Sequence, residues 1–140
     1  MARDAKRFDR LLRVRTLQLG QVRSHEAAAR AKVMHEEGLR ERIAQLSANV
    51  APAEEQSNAT TLMAAAHYRE RLHQSALAAE RRVEVAEQGL GHAQAATREA
   101  KRDQSAIEKL LARANTEAAL RALRELEDLP AISRNRHDLC

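Results

Sequence analysis

Six histidines, at positions 25, 35, 67, 73, 92 and 137, and a single cysteine, Cys140, are the residues of this 140-residue chain with the widest reach for metal or nucleophilic chemistry. A zinc hydrolase helix places two histidines one turn apart with a glutamate beside the first, and none of the six has that HExxH spacing. His137, Asp138 and Cys140 stand close enough together to suggest a metal or thiol site. They belong, however, to the polar and unpatterned run ISRNRHDLC after Pro130, and a mobile tail cannot hold ligands or a nucleophile in fixed geometry. One cysteine forms no internal disulfide, and as the last residue it cannot open a prenylation box. There is no Gly-rich phosphate loop, GxSxG elbow or CxxC pair. The residues therefore point to a protein that is not an enzyme, uses no cofactor or metal, has no small-molecule substrate, and works through surfaces and partners.

The elements that carry those surfaces follow from composition. Aromatic residues make up 1% of the chain, the only examples being Phe8 and Tyr68, so a thick globular core is not expected. Apolar residues reach 44%, mostly alanine and leucine, and charged residues 31%, a balance that suits long solvated helices better than layered sheets. No run approaches the roughly 20 apolar residues of a membrane span. The N-terminus MARDAKRFDRLLRVRTLQL lacks the continuous apolar stretch of a signal peptide, which makes a cytoplasmic location the expectation.

Apolar positions in the first third recur in steps of three and four through Phe8, Leu12, Leu19, Val22, Ala29 and Val33, and after a phase slip through Leu39, Ile43, Leu46 and Val50. That spacing predicts a helix over about 4–50 that packs through one seam, with the stripe rotating between Val33 and Leu39 beside Gly38. The segment SANVAPAEEQSNATT interrupts it, because Pro52 disfavours helix at the preceding residue and Ser, Asn and Thr favour turns and caps. A reversal over about 51–58 follows. Either Pro52 opens the next helix, or Ser57 or Asn58 caps a later start.

From Leu62 the pattern keeps heptad spacing through Ala65, Arg69, Leu72, Ala76, Ala79, Val83, Ala86, Leu90, Ala93, Thr97, Ala100, Gln104, Ile107, Leu111, Ala114 and Ala118. This predicts a second, longer helix over about 59–128, ended by Pro130 and followed by a flexible tail over 130–140. The fold class expected is all-α: one coiled-coil hairpin, 1–129, of two long antiparallel helices. Alanine at so many seam positions lets the helices approach closely but buries little area at each, so stability should be marginal for the length.

With a reversal near Glu54 and a rise of about 1.5 Å per residue in both helices, residue i should lie opposite residue 109 minus i. Leu90 then falls near Leu19, and Gly20 falls level with Gly89 and Gly91. The first helix runs out first and leaves the end of the second without an intrachain partner. That overhang carries Ile107, Leu110, Leu111, Leu120, Leu123 and Leu126, and unpaired apolar helix surface marks an interface. The charge collects at the same end. Residues 1–25 hold Arg3, Lys6, Arg7, Arg10, Arg13, Arg15 and Arg23 against Asp4 and Asp9, an excess of five positive charges, whereas residues 51–140 are nearly neutral. Arg7, Arg10 and Arg13 with the overhanging apolar residues are the candidate partner-binding set. A protein with an acidic surface suits it better than nucleic acid, because no aromatic residues are interleaved to stack bases.

The runs RFDRLLRVR at 7–15, YRERL at 68–72 and REAKRDQSAIEKLLAR at 98–113 resemble the flagellar export stalk family, FliJ, over nearly the whole chain. Here Glu127-Asp128 is a weak version of that family's acidic close, and no tryptophan is present. The resemblance implies an antiparallel coiled coil similar to the central shaft of rotary ATPases. It further implies a role in bacterial flagellum biogenesis and motility, as a component of type III protein export that inserts in the hexameric export ATPase and contacts the export gate protein. Such a protein is cytoplasmic and peripheral to the inner membrane through the export apparatus. A homodimeric coiled-coil scaffold and a basic nucleic-acid-binding coiled coil are the alternative readings.

Overall fold

A computed structural model describes residues 2–50 and 58–130, with the side chains of 2–4 set aside. Two helices account for nearly all of these residues: α1, Ala2–Asn49, and α2, Ala59–Glu127, the second the longer. They pack against each other antiparallel, and no strand occurs among the described residues. The anticipated turn at 51–57 and the tail from 131 onward, including His137, Asp138 and Cys140, lie outside the described residues.

Asn58 supplies the cap that starts α2. Its Oδ1 accepts a hydrogen bond from the Thr61 backbone N–H at 2.9 Å, and the Thr61 hydroxyl donates to the Asn58 carbonyl at 2.8 Å. A short side-chain acceptor at this position satisfies a donor that has no partner within the helix. The choice between a start at Pro52 and a later capped start thus falls on Asn58. At the other end the Asp128 N–H still bonds the Arg124 carbonyl at 2.9 Å, but Pro130 prevents continuation and α2 stops at Glu127.

The seam lies along the predicted stripes. Leu72, Ala79, Val83 and Ala86 of α2 are buried, with Leu19 and Val33 of α1. All six belong to one of the two units into which the tertiary contacts fall, Gln18–Lys101. In the other unit, Met1–Leu17 with Arg102–Cys140, Phe8, Leu12, Ile107 and Leu111 are half-buried, and none of the described apolar residues is fully enclosed.

Two features differ from expectation. Between Val33 and Leu39 the seam is occupied by Glu36, 7% exposed, so the stripe steps Val33, Glu36, Leu39, Ile43 without a gap, while Leu46 stands 49% exposed. An acidic residue at a seam position hides the continuity when only apolar residues are followed. The register also differs. Within Gln18–Lys101 Arg82 pairs with Glu36 and Arg69 reaches the Val50 carbonyl, and within the other unit Arg15 pairs with Asp103 and Gln104 with Thr16, so residue i lies level with about residue 119 minus i rather than 109 minus i. Leu90 is therefore level with Ala29 and not with Leu19, and Gly89 and Gly91 are not level with Gly20.

The physical reason is fit between unequal side chains. In this register Leu19 is level with Ala100, Val33 with Ala86 and Ile43 with Ala76, large beside small, which fills a seam between closely approached helices. A further consequence concerns the ends. No described residue of α1 is level with α2 before about Tyr68, and none is level with α2 beyond about residue 116.

Candidate functional surface

The unit built from Met1–Leu17 and Arg102–Cys140 holds every residue of the predicted partner-binding set. Arg7, Arg10 and Arg13 are exposed on α1. Their charge is partly engaged: Arg13 Nη2 bonds Asp9 Oδ2 at 2.7 Å one turn back, and Arg10 Nε donates to the Lys6 carbonyl at 3.4 Å. Between exposed groups such pairs are worth a few tenths of a kcal/mol up to about 1 kcal/mol, so they leave the local field positive without fixing the side chains firmly. Arg15 instead crosses to α2, where Nη1 meets Asp103 Oδ2 at 3.1 Å, and next to it Gln104 Nε2 donates to the Thr16 hydroxyl at 3.3 Å. These contacts hold the basic start of α1 against a defined level of α2.

The apolar part of the set divides in two. Ile107 and Leu111 are half-buried and level with Leu12 and Phe8, inside the stretch where α1 runs alongside. The overhang is accordingly shorter than a reversal at Glu54 requires, and these two side chains belong to the seam. Leu110 is 41% exposed on the flank of the pair, and Leu120 and Leu123 are 50% and 55% exposed beyond the start of α1. Leu120 and Leu123 sit three residues apart and so share a helix face. Leu126 and Leu129 continue the exposed leucine series toward Pro130.

His25, His35, His67, His73 and His92 are all exposed on the helices. Among the described residues no three or more His, Cys, Asp or Glu side chains gather as metal ligands would. No helix among them is long and apolar enough to cross a membrane.

One seam residue escaped the apolar sequence pattern. Glu36 is the sole polar or charged residue buried among the described residues, and Arg82 reaches it from α2, Nη2 lying 3.2 Å from Oε1 and 3.0 Å from Oε2. The hydrogen bond runs to Oε1, and Oε2 is buried without one of good geometry. The signal for it was present in the spacing: Glu36 follows Val33 by three residues and precedes Ile43 by seven, a seam position by count.

Comparison of the chain with protein-family models, curated proteins and solved structures returned no match.

Proposed function

We propose that this chain is a non-catalytic stalk of a flagellar type III protein export apparatus, acting within the ring of the export ATPase and linking it to the export gate. The observation that carries the reading is the union, in one unit, of an exposed basic stretch at Arg7, Arg10 and Arg13 with exposed leucines that α1 does not cover, Leu120 and Leu123. An apolar and basic surface of this kind suits a protein partner with acidic and apolar groups at the mouth of a pore. Two packed helices, each about 10–12 Å across with side chains, also fit the role of a shaft, which needs partners but no reacting groups. The resemblance of the runs at 7–15, 68–72 and 98–113 to the export stalk family supplies the identity of those partners. In this reading the protein is cytoplasmic and held at the inner membrane only through the apparatus.

The test is to mix the purified chain with the export ATPase and follow both complex formation and ATP hydrolysis, alongside swimming of cells from which the chain is deleted. Co-migration, stimulated hydrolysis and loss of motility are expected. An unaltered ATPase with fully motile deletion cells overturns the proposal, and sedimentation of the chain alone as a dimer through its exposed leucines replaces it with the homodimeric scaffold.

A further inference from the structure

The buried carboxylate in the seam raises a question that the stalk reading does not answer: why α1 and α2 keep one alignment when their apolar patterns tolerate more than one. Both stripes repeat every seven residues, so a slide of one heptad returns seam positions to seam positions. One of the two seam series of α2 is degenerate, because Ala79, Ala86, Ala93 and Ala100 recur at seven-residue spacing, and it is the series level with Leu19 and Val33, the two buried apolar side chains of α1. Slide α2 by seven residues, and Leu19 exchanges Ala100 for Ala93 while Val33 exchanges Ala86 for Ala79. These large side chains meet the same small partner in either alignment, so packing discriminates weakly between them.

Charge does not repeat in the same way. In the observed alignment Glu36 meets Arg82 at 3.0 Å. One heptad in one direction puts Ser75 in the place of Arg82, and one heptad in the other puts Gly89 there; neither is a cation. The carboxylate is 7% exposed, so in a slid seam it would be buried without a counterion, which is strongly disfavoured. We propose that the Glu36–Arg82 pair is a register lock, selecting the observed alignment of the Gln18–Lys101 pair over the heptad slide that leaves Leu19 and Val33 against alanine. A single polar seam residue specifying register at some cost in stability is a known use of such groups in coiled coils.

The lock is tested in the full chain with Cys140→Ser and spin labels on cysteines placed at the exposed positions Ala44 and Glu99. These positions are far apart along the axis, so a slide of one heptad changes the label–label distance by about 10 Å. The unaltered seam should give one narrow distance. Glu36→Leu should keep the helical circular dichroism signal and add a second population displaced by about 10 Å. One unchanged distance in Glu36→Leu, or loss of its helical signal, overturns the proposal. A charge-swap arm decides independently of that variant: Glu36→Arg alone, which opposes two cations, should displace the distance, and Glu36→Arg with Arg82→Glu should restore the original one. An undisplaced distance in the single swap, or no restoration in the double, also overturns it.

Discussion

Arg69, on α2, donates from both Nε and Nη2 to the carbonyl oxygen of Val50, each at 3.2 Å, and so closes the C-terminal end of α1 from the opposite helix. The last carbonyls of a helix have no partner within it, and the end carries a partial negative charge that a guanidinium complements. Arg69 occupies a heptad position of α2, where an apolar residue is the usual occupant. Its place there is explained by what it reaches: at this level the seam ends, and the group opposite is backbone.

Replacement of Arg69 by alanine should therefore lower the unfolding free energy by about 1 kcal/mol, less than the usual range for a charge-assisted bond because the contact is solvent-exposed. Lysine should recover part of the loss, since it keeps the charge but not the two-pronged donor geometry. Urea denaturation measures the total. Amide exchange should show protection lost first over the last turn of α1; uniform loss along both helices would contradict a local cap.

Glycines should be replaceable. A Cβ built on Gly20, Gly38, Gly89 or Gly91 meets nothing within 4 Å, and none of the four has a positive φ. Each is a plain helical position at which glycine costs about 0.8–1 kcal/mol relative to alanine. Gly89→Ala and Gly91→Ala should each raise stability by about that amount, read as a higher urea midpoint with unchanged slope. A loss of stability would reveal a neighbour that the open space around these positions does not contain.

The reasons some of this was legible in the sequence, and some not, are physical. In α2 every buried side chain, Leu72, Ala79, Val83 and Ala86, falls on the heptad series, because apolar burial on one face is what creates the period. In α1 the same logic found Leu19 and Val33 but passed over Glu36, since a paired carboxylate is polar by type and buried by circumstance. Register was the harder quantity. A seam of repeated alanines presents nearly the same surface at each heptad, so apolar spacing carries little information about alignment. A reversal centred near Glu54 with equal rise in both helices therefore misplaces the pair by about ten residues. The complementary charges at Glu36 and Arg82, and at Arg15 and Asp103, held the missing information, since each pair comes together in the observed alignment. For the surface, exposure of Leu120 and Leu123 followed from the first helix ending early. The misplaced register counted Ile107 and Leu111 with them.

That division gives a stability prediction. Ile107→Asp and Leu111→Asp each set a carboxylate into a half-buried seam position and should destabilise the protein by about 1–3 kcal/mol. Leu120→Asp and Leu123→Asp, at positions that are half exposed or more and lie beyond the start of α1, should leave the melting midpoint within about 0.5 kcal/mol of the parent. Equal losses in both groups, measured by thermal circular dichroism, would mean that the leucines beyond α1 are covered in the free protein, as in a homodimer.

The same variants separate folding from function at the proposed working surface. If Leu120 and Leu123 contact the export ATPase, their aspartate variants should bind it at least tenfold more weakly while remaining folded, the loss expected from placing a charge in an apolar contact. Arg7, Arg10 and Arg13 supply the electrostatic half, and reversing all three to glutamate should slow association most at low salt. The difference from the parent should shrink as ionic strength rises, because exposed charges are screened over about 10 Å at 0.1 M. Arg13 gives an internal control. Its partner Asp9 lies one turn away at 2.7 Å, so Arg13→Glu alone loses an intrahelical pair and sets two carboxylates face to face. It should cost a few tenths of a kcal/mol in helix stability in addition to any effect on binding, whereas Arg7→Glu should act on binding alone. A salt-independent binding defect in the triple variant, or full binding by Leu120→Asp and Leu123→Asp, would remove this end of the hairpin as the contact with the ATPase.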